Sequence, residues 1–210
     1  MTKKAVLLFG GFNPFTNAHL HIGRLAKENF PDHEIIYIPA KMAYFQRWKH
    51  AEGKDILPEE LRLNMIRVSV ETEPDFRVCD AELNGLSTGR TWNTLEYLRQ
   101  QEDYGELVLC MGTDKVPELE TWEKGHQLIE ENRFFIITRG ERLADRMTPF
   151  TLEHRDHFVE IENTLYADYS ATRVRRAMWE GDRDYINRTV PAPAASLLLA
   201  HMDRTQSGEQ

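Results

Sequence analysis

Short apolar segments with strand-like composition alternate along this chain with segments of helical periodicity. The strand-like segments cover residues 5–9, 34–39, 76–83, 106–112, 133–139 and 157–162. Such alternation is typical of βαβ units, in which helices form right-handed crossovers between parallel strands. The sequence therefore predicts an α/β fold with a mainly parallel sheet, helices on both of its faces and a small helical part at the C-terminus.

The helices can be placed from their periodicity and from the residues at their ends. One begins at residues 16–17, directly after the first strand. Another has Pro58 as its first residue, with a buried stripe made of Leu61, Met65 and Val68. Further helices are predicted over residues 91–101 and over roughly residues 122–131.

The length of 210 residues and the hydrophobic content of 41% suit a single domain with a proper core. We expect one domain over residues 1–205, with a late helix in its part from about residue 165, and a flexible tail over 206–210. Residues 41–57 do not fit the alternation of strands and helices. Loops of this length inside compact domains are usually functional or mobile.

The charge balance limits the partners of the chain. Its net charge of −8 disfavours binding to nucleic acid through a broad basic surface, which needs clustered Lys and Arg. The N-terminal apolar run is far shorter than the about 20 residues that span a membrane. Cys79 and Cys110 lie in strand-like segments without metal-binding spacing, so we expect reduced core residues of a cytoplasmic protein. We expect no nucleic-acid or membrane partner, and the sequence is compatible with a homo-oligomer.

The segment GGFNPFTNAHLHIGR, residues 10–24, directly follows the first strand. Open α/β sheets bind ligands at the carboxyl ends of their strands, which is where this segment is expected. Gly10 and Gly11 permit a sharp turn and a close approach of a ligand to the backbone. Pro14 favours an extended conformation of Asn13, so that the chain leaves the strand in a defined direction.

The start of the following helix can bind an anion. Its first N–H groups are free and the helix dipole is positive there. Thr16 can add a hydroxyl donor, and His19, one turn further on, an imidazole N–H. The alternative is that Thr16 only caps the helix and His19 is a partly buried surface histidine.

The pattern G-x-F-N-P-x-T-x-x-H at residues 10–19 resembles the signature of the nucleotidyltransferase superfamily, G-x-F-[DN]-P-x-[HT]-x-G-H. In this register Thr16 and His19 take the two phosphate-binding positions, and Ala18 replaces the usual glycine. The triplet at residues 21–23, His-Ile-Gly, then lies outside the motif. The resemblance implies a Rossmann-like fold and an ATP site that includes Gly10, Gly11, Phe12 and His19.

A second segment, YSATRVRRAM at residues 169–178, resembles the late I-S-S-T-x-[IV]-R element of the same superfamily. Ser170 has the character of a helix cap, and Arg175 is a planar donor suited to phosphate oxygens. Alone, this segment would be read as an ordinary capped helix with solvated arginines. Together with the first motif, it implies that Ser170, Thr172 and Arg175 bind the phosphates of ATP.

Further segments resemble the nicotinate and nicotinamide mononucleotide adenylyltransferases. In MGTDKVPELETW, residues 111–122, the resemblance implies that Gly112 and Asp114 approach the bound nucleotides. Trp122 would lie against the pyridine ring, because a flat aromatic face suits a pyridinium. Core packing is the alternative for Trp122, since tryptophan is heavily buried on average.

The segment STGRTWNTLEYL, residues 87–98, resembles the element that contacts the pyridine substituent in these enzymes. The resemblance implies that Thr91 and Thr94 lie near this substituent and that Asn13 also contacts the pyridine nucleotide. Trp92 falls on a variable position, and a shift of one residue would be needed to make it a stacking residue.

Lys41, just past the second strand, matches a phosphate-binding lysine of the family. Lysine provides a mobile point charge that can follow phosphates during a reaction, although a solvated loop lysine is the alternative. Arg47 and Lys49 in the same loop could assist it. The implied catalytic residues are therefore His19, Thr16, Lys41 and Arg175.

The resemblance implies transfer of the AMP part of ATP to nicotinate mononucleotide with release of pyrophosphate, a step of NAD biosynthesis. Mg²⁺ is expected to arrive with ATP and not in a protein metal site; His154 and His157 lack a third ligand. Thr16 in the first motif resembles members that also accept nicotinamide mononucleotide, so this acceptor stays open. The alternatives are another acceptor, as in phosphopantetheine adenylyltransferases or cytidylyltransferases, and a non-catalytic nucleotide-sensing domain.

Overall fold

A computed structural model describes residues 2–41, 56–163, 165–166 and 169–207 of the chain. Most of the predicted loop at 41–57 lies outside these residues, together with Arg47 and Lys49, as do residues 208–210 of the predicted tail. Within the described ranges, no helix is both long enough and apolar enough to cross a membrane.

The strands are β1 (Lys3–Gly10), β2 (Glu34–Pro39), β3 (Phe76–Val78), β4 (Tyr104–Gly112), β5 (Arg133–Thr138) and β6 (Phe158–Glu162). The α-helices are α1 (Asn17–Asn29), α2 (Glu59–Val70), α3 (Thr91–Gln101), α4 (Gly125–Glu131), α5 (Pro149–Glu153), α6 (Ala171–Glu180), α7 (Arg183–Thr189) and α8 (Ala192–Ser207). A 3₁₀ segment over Thr113–Thr121 follows β4, and shorter ones cover Leu143–Asp145 and Arg155–His157.

The six strands form one sheet in the order β3-β2-β1-β4-β5-β6, and every neighbouring pair is parallel. This arrangement confirms the predicted α/β, Rossmann-like fold. Because β1 lies between β2 and β4, the carboxyl ends of these three strands meet at one edge of the sheet. The segments that follow them, which carry the predicted phosphate-binding residues, are therefore neighbours.

Helices cover both faces of the sheet, as predicted. Along β1 the side chains alternate, with Val6 and Leu8 in one core and Ala5 and Leu7 in the other. The first core also receives apolar residues from α1, α2, α6, α7 and α8. The second receives them from α3, α4 and the 3₁₀ segment.

The start of α2 differs from the prediction. Pro58 has ψ of 140°, outside the helical range, and is the N-cap, so the helix begins at Glu59. Its buried face is made by Arg62, Met65, Ile66, Ser69 and Val70. Leu61 and Val68 pack against the core but are only partly buried, so the predicted stripe is fully buried only at its middle member.

The helix predicted over residues 122–131 is shorter than expected and begins at Gly125. Lys124 before it has a left-handed conformation with φ of 53°, which interrupts a continuous helix. A β-carbon at position 125 would lie 2.1 Å from the carbonyl oxygen of Leu119, so the close approach of these two segments requires glycine. At the other end of the chain, α8 includes residues 206 and 207, which we expected in the tail.

Candidate active site

The first motif is organised by a hydrogen bond between Thr16 and His19. Thr16 is fully buried and is the N-cap of α1. Its backbone N–H donates to Nδ1 of His19 at 3.0 Å, and its Oγ1 lies 3.0 Å from the same nitrogen. Because a backbone N–H can only donate, Nδ1 is an acceptor and the neutral imidazole carries its proton on Nε2. The ring can therefore offer an N–H donor to an anion through Nε2.

Aromatic side chains fix the ring of His19 in place. Phe12 meets it edge-on with centroids 5.2 Å apart, and Phe15 stacks on it at 5.6 Å. Tyr37 of β2 touches both phenylalanines, and its hydroxyl donates to the carbonyl oxygen of His19 at 3.0 Å. A β-carbon at Gly23 would lie 2.0 Å from that hydroxyl. The glycine of the His-Ile-Gly triplet therefore makes room for Tyr37, a packing role consistent with its place outside the motif.

The sharp turn after β1 is made by a residue other than those expected. Phe12 has φ of 43°, in the left-handed region, whereas neither Gly10 nor Gly11 has a positive φ. A β-carbon at Gly10 would lie 3.0 Å from the Phe12 ring. The glycine at position 10 thus lets the Phe12 ring fold back over the end of β1, which is a different reason for glycine from the one predicted.

Arg175 joins the two sequence motifs. Its Nη1 donates to the carbonyl oxygen of Asn13 at 2.7 Å, and its Nη2 donates to Oγ1 of Thr172 at 3.2 Å. Ser170 caps α6 as predicted, because its Oγ accepts from the N–H of Arg173 at 3.1 Å. Thr172 is exposed and Arg175 is half-buried beside the start of α1. Two segments that are far apart in sequence therefore form one polar surface.

Arg62, a buried arginine that the sequence analysis missed, holds the backbone next to this surface. Arg62 of α2 is fully buried, and its guanidinium donates to the carbonyl oxygens of Gly11 at 2.7 Å and Ala40 at 2.9 Å. Burial lowers the pKa of this guanidinium. One side chain thus holds the turns after β1 and β2. The available signal was its spacing, since position 62 shares a helical face with Met65 and Ile66.

The side chain of Asn13 has a structural contact. Its Oδ1 accepts from the backbone N–H of Leu57 at 2.9 Å, which holds the segment before α2. Asn13 is nearly fully buried, and the Asn13–Pro14 peptide bond is cis. Its predicted contact with a pyridine nucleotide stays a prediction.

Lys41, Gly112 and Asp114 lie at the carboxyl edge of the sheet, as expected. Lys41 is exposed, and its Nζ lies 3.7 Å from where a β-carbon at Gly85 would be. On the other side of β1, a β-carbon at Gly112 would lie 2.5 Å from Oδ1 of Asp114. Glycine at position 112 therefore allows the exposed Asp114 side chain to fold back over the end of β4.

The segments that carry Thr91 and Trp122 are held together by charged pairs. Arg90 pairs with Glu123, and Lys124 lies 3.9 Å from a carboxylate oxygen of Glu96. Thr91 is the first residue of α3, and Trp122 is partly buried at the end of the 3₁₀ segment. These two predicted pyridine-binding residues are therefore on adjacent segments.

Trp92 and Thr94 are in the interior. Trp92 is 7% exposed, and Nζ of Lys124 lies 4.3 Å from the centroid of its ring, which covers one face. The hydroxyl of Thr94 is fully buried, donates to Oε1 of Glu82 at 3.0 Å and lies 2.7 Å from Oγ of Ser87. Trp92 thus packs in the core, and Thr94 anchors the start of α3. Either side chain would have to move to contact a pyridine ring directly.

Glu82 was also missed by the sequence analysis. Its side chain is 4% exposed, and burial raises the pKa of its carboxyl to about 7, a shift that the hydrogen bond from Thr94 opposes. Through the hydrogen bond from Thr94, this buried carboxyl holds the first turn of α3 in place. No periodicity marks this residue, because it lies in a turn after β3.

Among the described residues, no group of three or more His, Cys, Asp and Glu side chains could hold a metal ion. His154 and His157 each have a backbone carbonyl partner, Phe150 at 3.0 Å and Ile129 at 2.7 Å from their Nδ1 atoms. His154, the C-cap of α5, thus contacts its own helix, whereas His157 joins the segment before β6 to α4.

The sequence pattern of the cytidylyltransferase-like family matches residues 7–177, which include both motifs. The chain belongs to this family. It is similar to a protein from Clostridium kluyveri named probable nicotinate-nucleotide adenylyltransferase, with 25% identity over 94% of this chain and 97% of the relative. A protein of the same name from Neisseria meningitidis serogroup C is 29% identical over the same shares.

The chain is also similar in fold to solved structures. The Plasmodium falciparum nicotinic acid mononucleotide adenylyltransferase complexed with NaAD has a TM-score of 0.71 and 17% identity, over 95% of this chain and 96% of that one. The same enzyme complexed with APC has a TM-score of 0.69 and 16% identity, over the same shares. At this level of identity the likeness establishes the fold.

Proposed function

We propose that the protein transfers the adenylyl group of ATP to nicotinate mononucleotide, releasing pyrophosphate and forming a dinucleotide for NAD biosynthesis. The observation that carries the proposal is the hydrogen bond of Arg175 to the carbonyl oxygen of Asn13, which joins the two phosphate motifs. The relatives named nicotinate-nucleotide adenylyltransferase along nearly the whole chain support this acceptor.

The reaction needs positioning and charge neutralisation more than proton transfer. The 5′-phosphate of the acceptor is already an anion, so it can attack the α-phosphorus of ATP in line without a strong general base. The new P–O bond forms on the attacking oxygen, and the bond between the α-phosphorus and the bridging oxygen breaks. The electron pair leaves with pyrophosphate.

Each residue of the first motif and of α6 then has a role. Nε2–H of His19 would donate to an oxygen of the α-phosphate, where negative charge accumulates in the transition state. The Thr16 N–H is used to orient His19, so Thr16 acts mainly as a positioning residue. Lys41 and Arg175 would neutralise phosphate charge, and Ser170 and Thr172 would bind the β,γ end. Gly10, Gly11, Phe12, Gly112 and Asp114 would line the ATP site.

The acceptor would bind between α3 and the 3₁₀ segment. Thr91 and Trp122 lie on segments joined by the Arg90–Glu123 pair, which supports a shared pyridine site. Mg²⁺ would enter as the ATP complex, because magnesium keeps several waters and needs few protein ligands. Two free cysteines, Cys79 and Cys110, support a cytoplasmic location.

The test is pyrophosphate release from Mg-ATP with four acceptors: nicotinate mononucleotide, nicotinamide mononucleotide, phosphopantetheine and riboflavin phosphate. We expect the highest kcat/KM with nicotinate mononucleotide, and the value for nicotinamide mononucleotide decides the specificity that the sequence left open. A higher kcat/KM with phosphopantetheine or riboflavin phosphate would identify that compound as the acceptor instead. Absence of release with all four, despite ATP binding, would favour the nucleotide-sensing alternative.

A further inference from the structure

A second surface with arginine side chains lies beside the proposed phosphate site, between α6 and α7. A cleft of about 210 Å³ is lined there by Tyr169, Arg173, Tyr185, Arg188 and Thr189. A neighbouring cleft of about 390 Å³ shares Arg173 and Tyr185 with it, but Glu180 and Asp182 also line that cleft. Arg173 falls on the variable position of the late element and Arg188 lies outside both motifs, so the proposed function leaves this surface unexplained.

The described residues of the smaller cleft carry positive charge without a neutralising acid. Among the described residues, its lining contains two arginines and no carboxylate, and neither Arg173 nor Arg188 forms an ion pair with any of them. Two arginines nearby differ in this respect: Arg176 pairs with Glu180, and Arg183 pairs with Asp203. In a chain of net charge −8, two arginines without acidic partners in one cleft favour an anionic ligand.

The cleft also has fixed and unsatisfied polar groups. The guanidinium carbon of Arg173 lies 4.5 Å from the centroid of the buried Tyr185 ring, a contact that restricts the arginine. Thr189 is fully buried, and its Oγ1 has no hydrogen-bond partner among the residues described. A buried hydroxyl without a partner is costly, and Thr189 is one of the residues that line the cleft.

The cleft is built on the two helix starts that form the proposed phosphate site. Tyr169 directly precedes Ser170, whose Oγ accepts from the N–H of Arg173. On the opposite wall, the carbonyl oxygen of Arg188 accepts from Nδ2 of Asn17 at 3.0 Å. Asn17 is the first residue of α1. A ligand in the cleft would therefore lie close to the groups proposed to bind the β,γ end of ATP.

We propose that this cleft binds a diphosphate group, held by the guanidinium groups of Arg173 and Arg188 and by the hydroxyl of Thr189. Planar guanidinium groups donate in pairs to phosphate oxygens, and two of them match an anion with several negative charges. The volume suits a compact anion better than a whole dinucleotide. Pyrophosphate is the co-product of the proposed reaction. The choice of pyrophosphate as the ligand therefore rests on the proposed function. The diphosphate of a free nucleotide is the other source.

The test is isothermal titration calorimetry of the full chain with inorganic pyrophosphate, in the presence of a saturating non-hydrolysable ATP analogue. The analogue occupies the proposed catalytic phosphate site, so binding of one further equivalent reports the cleft. We expect Arg173→Gln and Arg188→Gln each to weaken this binding at least about tenfold, because each removes charge-assisted hydrogen bonds. Arg183→Gln is the matched control: it removes one charge from α7, lines neither cleft and should bind as the wild type does.

Titrations with ADP and inorganic phosphate distinguish the sources. Tighter binding of pyrophosphate than of ADP would support the free co-product, and the reverse order would support a nucleotide diphosphate. The inference is overturned by absence of pyrophosphate binding beside the analogue, or by equal affinities in the wild type and both cleft variants. Since binding needs no turnover, a chain inactive with every acceptor but positive here would reject only the proposed function. An active chain without this binding would reject only the cleft.

Discussion

At the residue scale, one hydrogen bond decides which nitrogen of His19 can meet a phosphate. Since the N–H of Thr16 donates to Nδ1, only Nε2 can carry the proton of the neutral ring. His21, two residues further along the same helix, has a different contact, an edge-to-face arrangement with Tyr166 at 5.4 Å. The two histidines of the segment are therefore not equivalent, although they are close in sequence.

We expect His19→Ala to lower kcat by about 10²- to 10³-fold, the usual loss when one preorganised donor to a developing charge is removed. Pyrophosphate release under saturating Mg-ATP and nicotinate mononucleotide measures this effect, with circular dichroism to check the fold. His21→Ala on the same helix is the control and should keep its turnover within about threefold. Near-normal turnover of His19→Ala would contradict the assignment.

Glu82 gives the fold a pH dependence with a definite sign. Its carboxyl has a pKa of about 7 in the fold, against about 4.5 in the unfolded chain, because burial disfavours its charged form. A group whose pKa is raised on folding stabilises the fold fully below its unfolded pKa. This contribution is lost as the pH rises through the folded pKa. The window for Glu82 is therefore pH 4.5 to about 7.

We expect Glu82→Gln to remove this contribution, because glutamine keeps an acceptor for the Thr94 hydroxyl but does not ionise. Across that window, the free energy of unfolding of the wild type should fall by up to about 3 kcal/mol more than that of the variant. Urea unfolding of both proteins at pH 4.5 and pH 8 measures the difference. Parallel changes in the two proteins would show that Glu82 does not titrate in this range.

At the scale of elements, α2 is a support for the turns that follow two strands. Arg62 binds the carbonyl oxygens of Gly11 and Ala40, and Ala40 directly precedes Lys41. The backbone of both turns is thus anchored to the same helix. A fully buried guanidinium with two carbonyl acceptors is costly to truncate, because the acceptors lose their donor inside the protein.

We expect Arg62→Met to lower the free energy of unfolding by about 2–4 kcal/mol and to raise the KM for ATP. Arg67→Met on the same helix is the control, because Arg67 is exposed and pairs with Asp80 on the surface. It should change stability by less than about 1 kcal/mol. Chemical denaturation and steady-state kinetics of the two variants make the comparison, and equal losses would argue against a supporting role for Arg62.

The sequence predicts the bounds of an element well where the sequence signal lies within the element itself. The bounds of β2 and α3 agree with the prediction because apolar composition and helical periodicity are properties of the segments themselves. The strand predicted over 76–83 ends at Val78, because residues from Asp80 onward hydrogen-bond within their own turn. That turn buries Glu82 against Thr94, a contact between segments that no pattern within either one contains.

The residues of the candidate site also differ in whether a local signal predicts them. Thr16 and Ser170 could be predicted as caps because caps are local, and the structure gives both residues their capping positions. Arg62 could not, because an arginine within an apolar stripe is normally read as solvated. Its acceptors come from two turns that only the sheet brings together. The left-handed Phe12 likewise follows from its packing against Gly10 and not from residue preference.

At the scale of the whole molecule, the sheet order explains why the motifs meet although they lie at opposite ends of the chain. The chain passes from β1 at the centre of the sheet out to β3, returns to β4 and ends the sheet at β6. The next helix, α6, then packs back over the first motif: Val174 and Ala177 share one core with Phe12 and Phe15. Apolar burial thus holds α6 in place, and Arg175 adds the polar link.

This link predicts that nucleotide binding and the joining of the two motifs fail together. A ligand that binds only the folded state raises the melting temperature, so a non-hydrolysable ATP analogue should stabilise the wild type. We expect Arg175→Ala to lose most of this thermal shift, because it removes both a phosphate donor and the hydrogen bond to Asn13. Arg176→Ala, one residue further on, removes an equal charge from an exposed pair with Glu180 and should keep the full shift. If both variants kept it, α6 would contribute apolar packing alone and ATP would bind without its arginine.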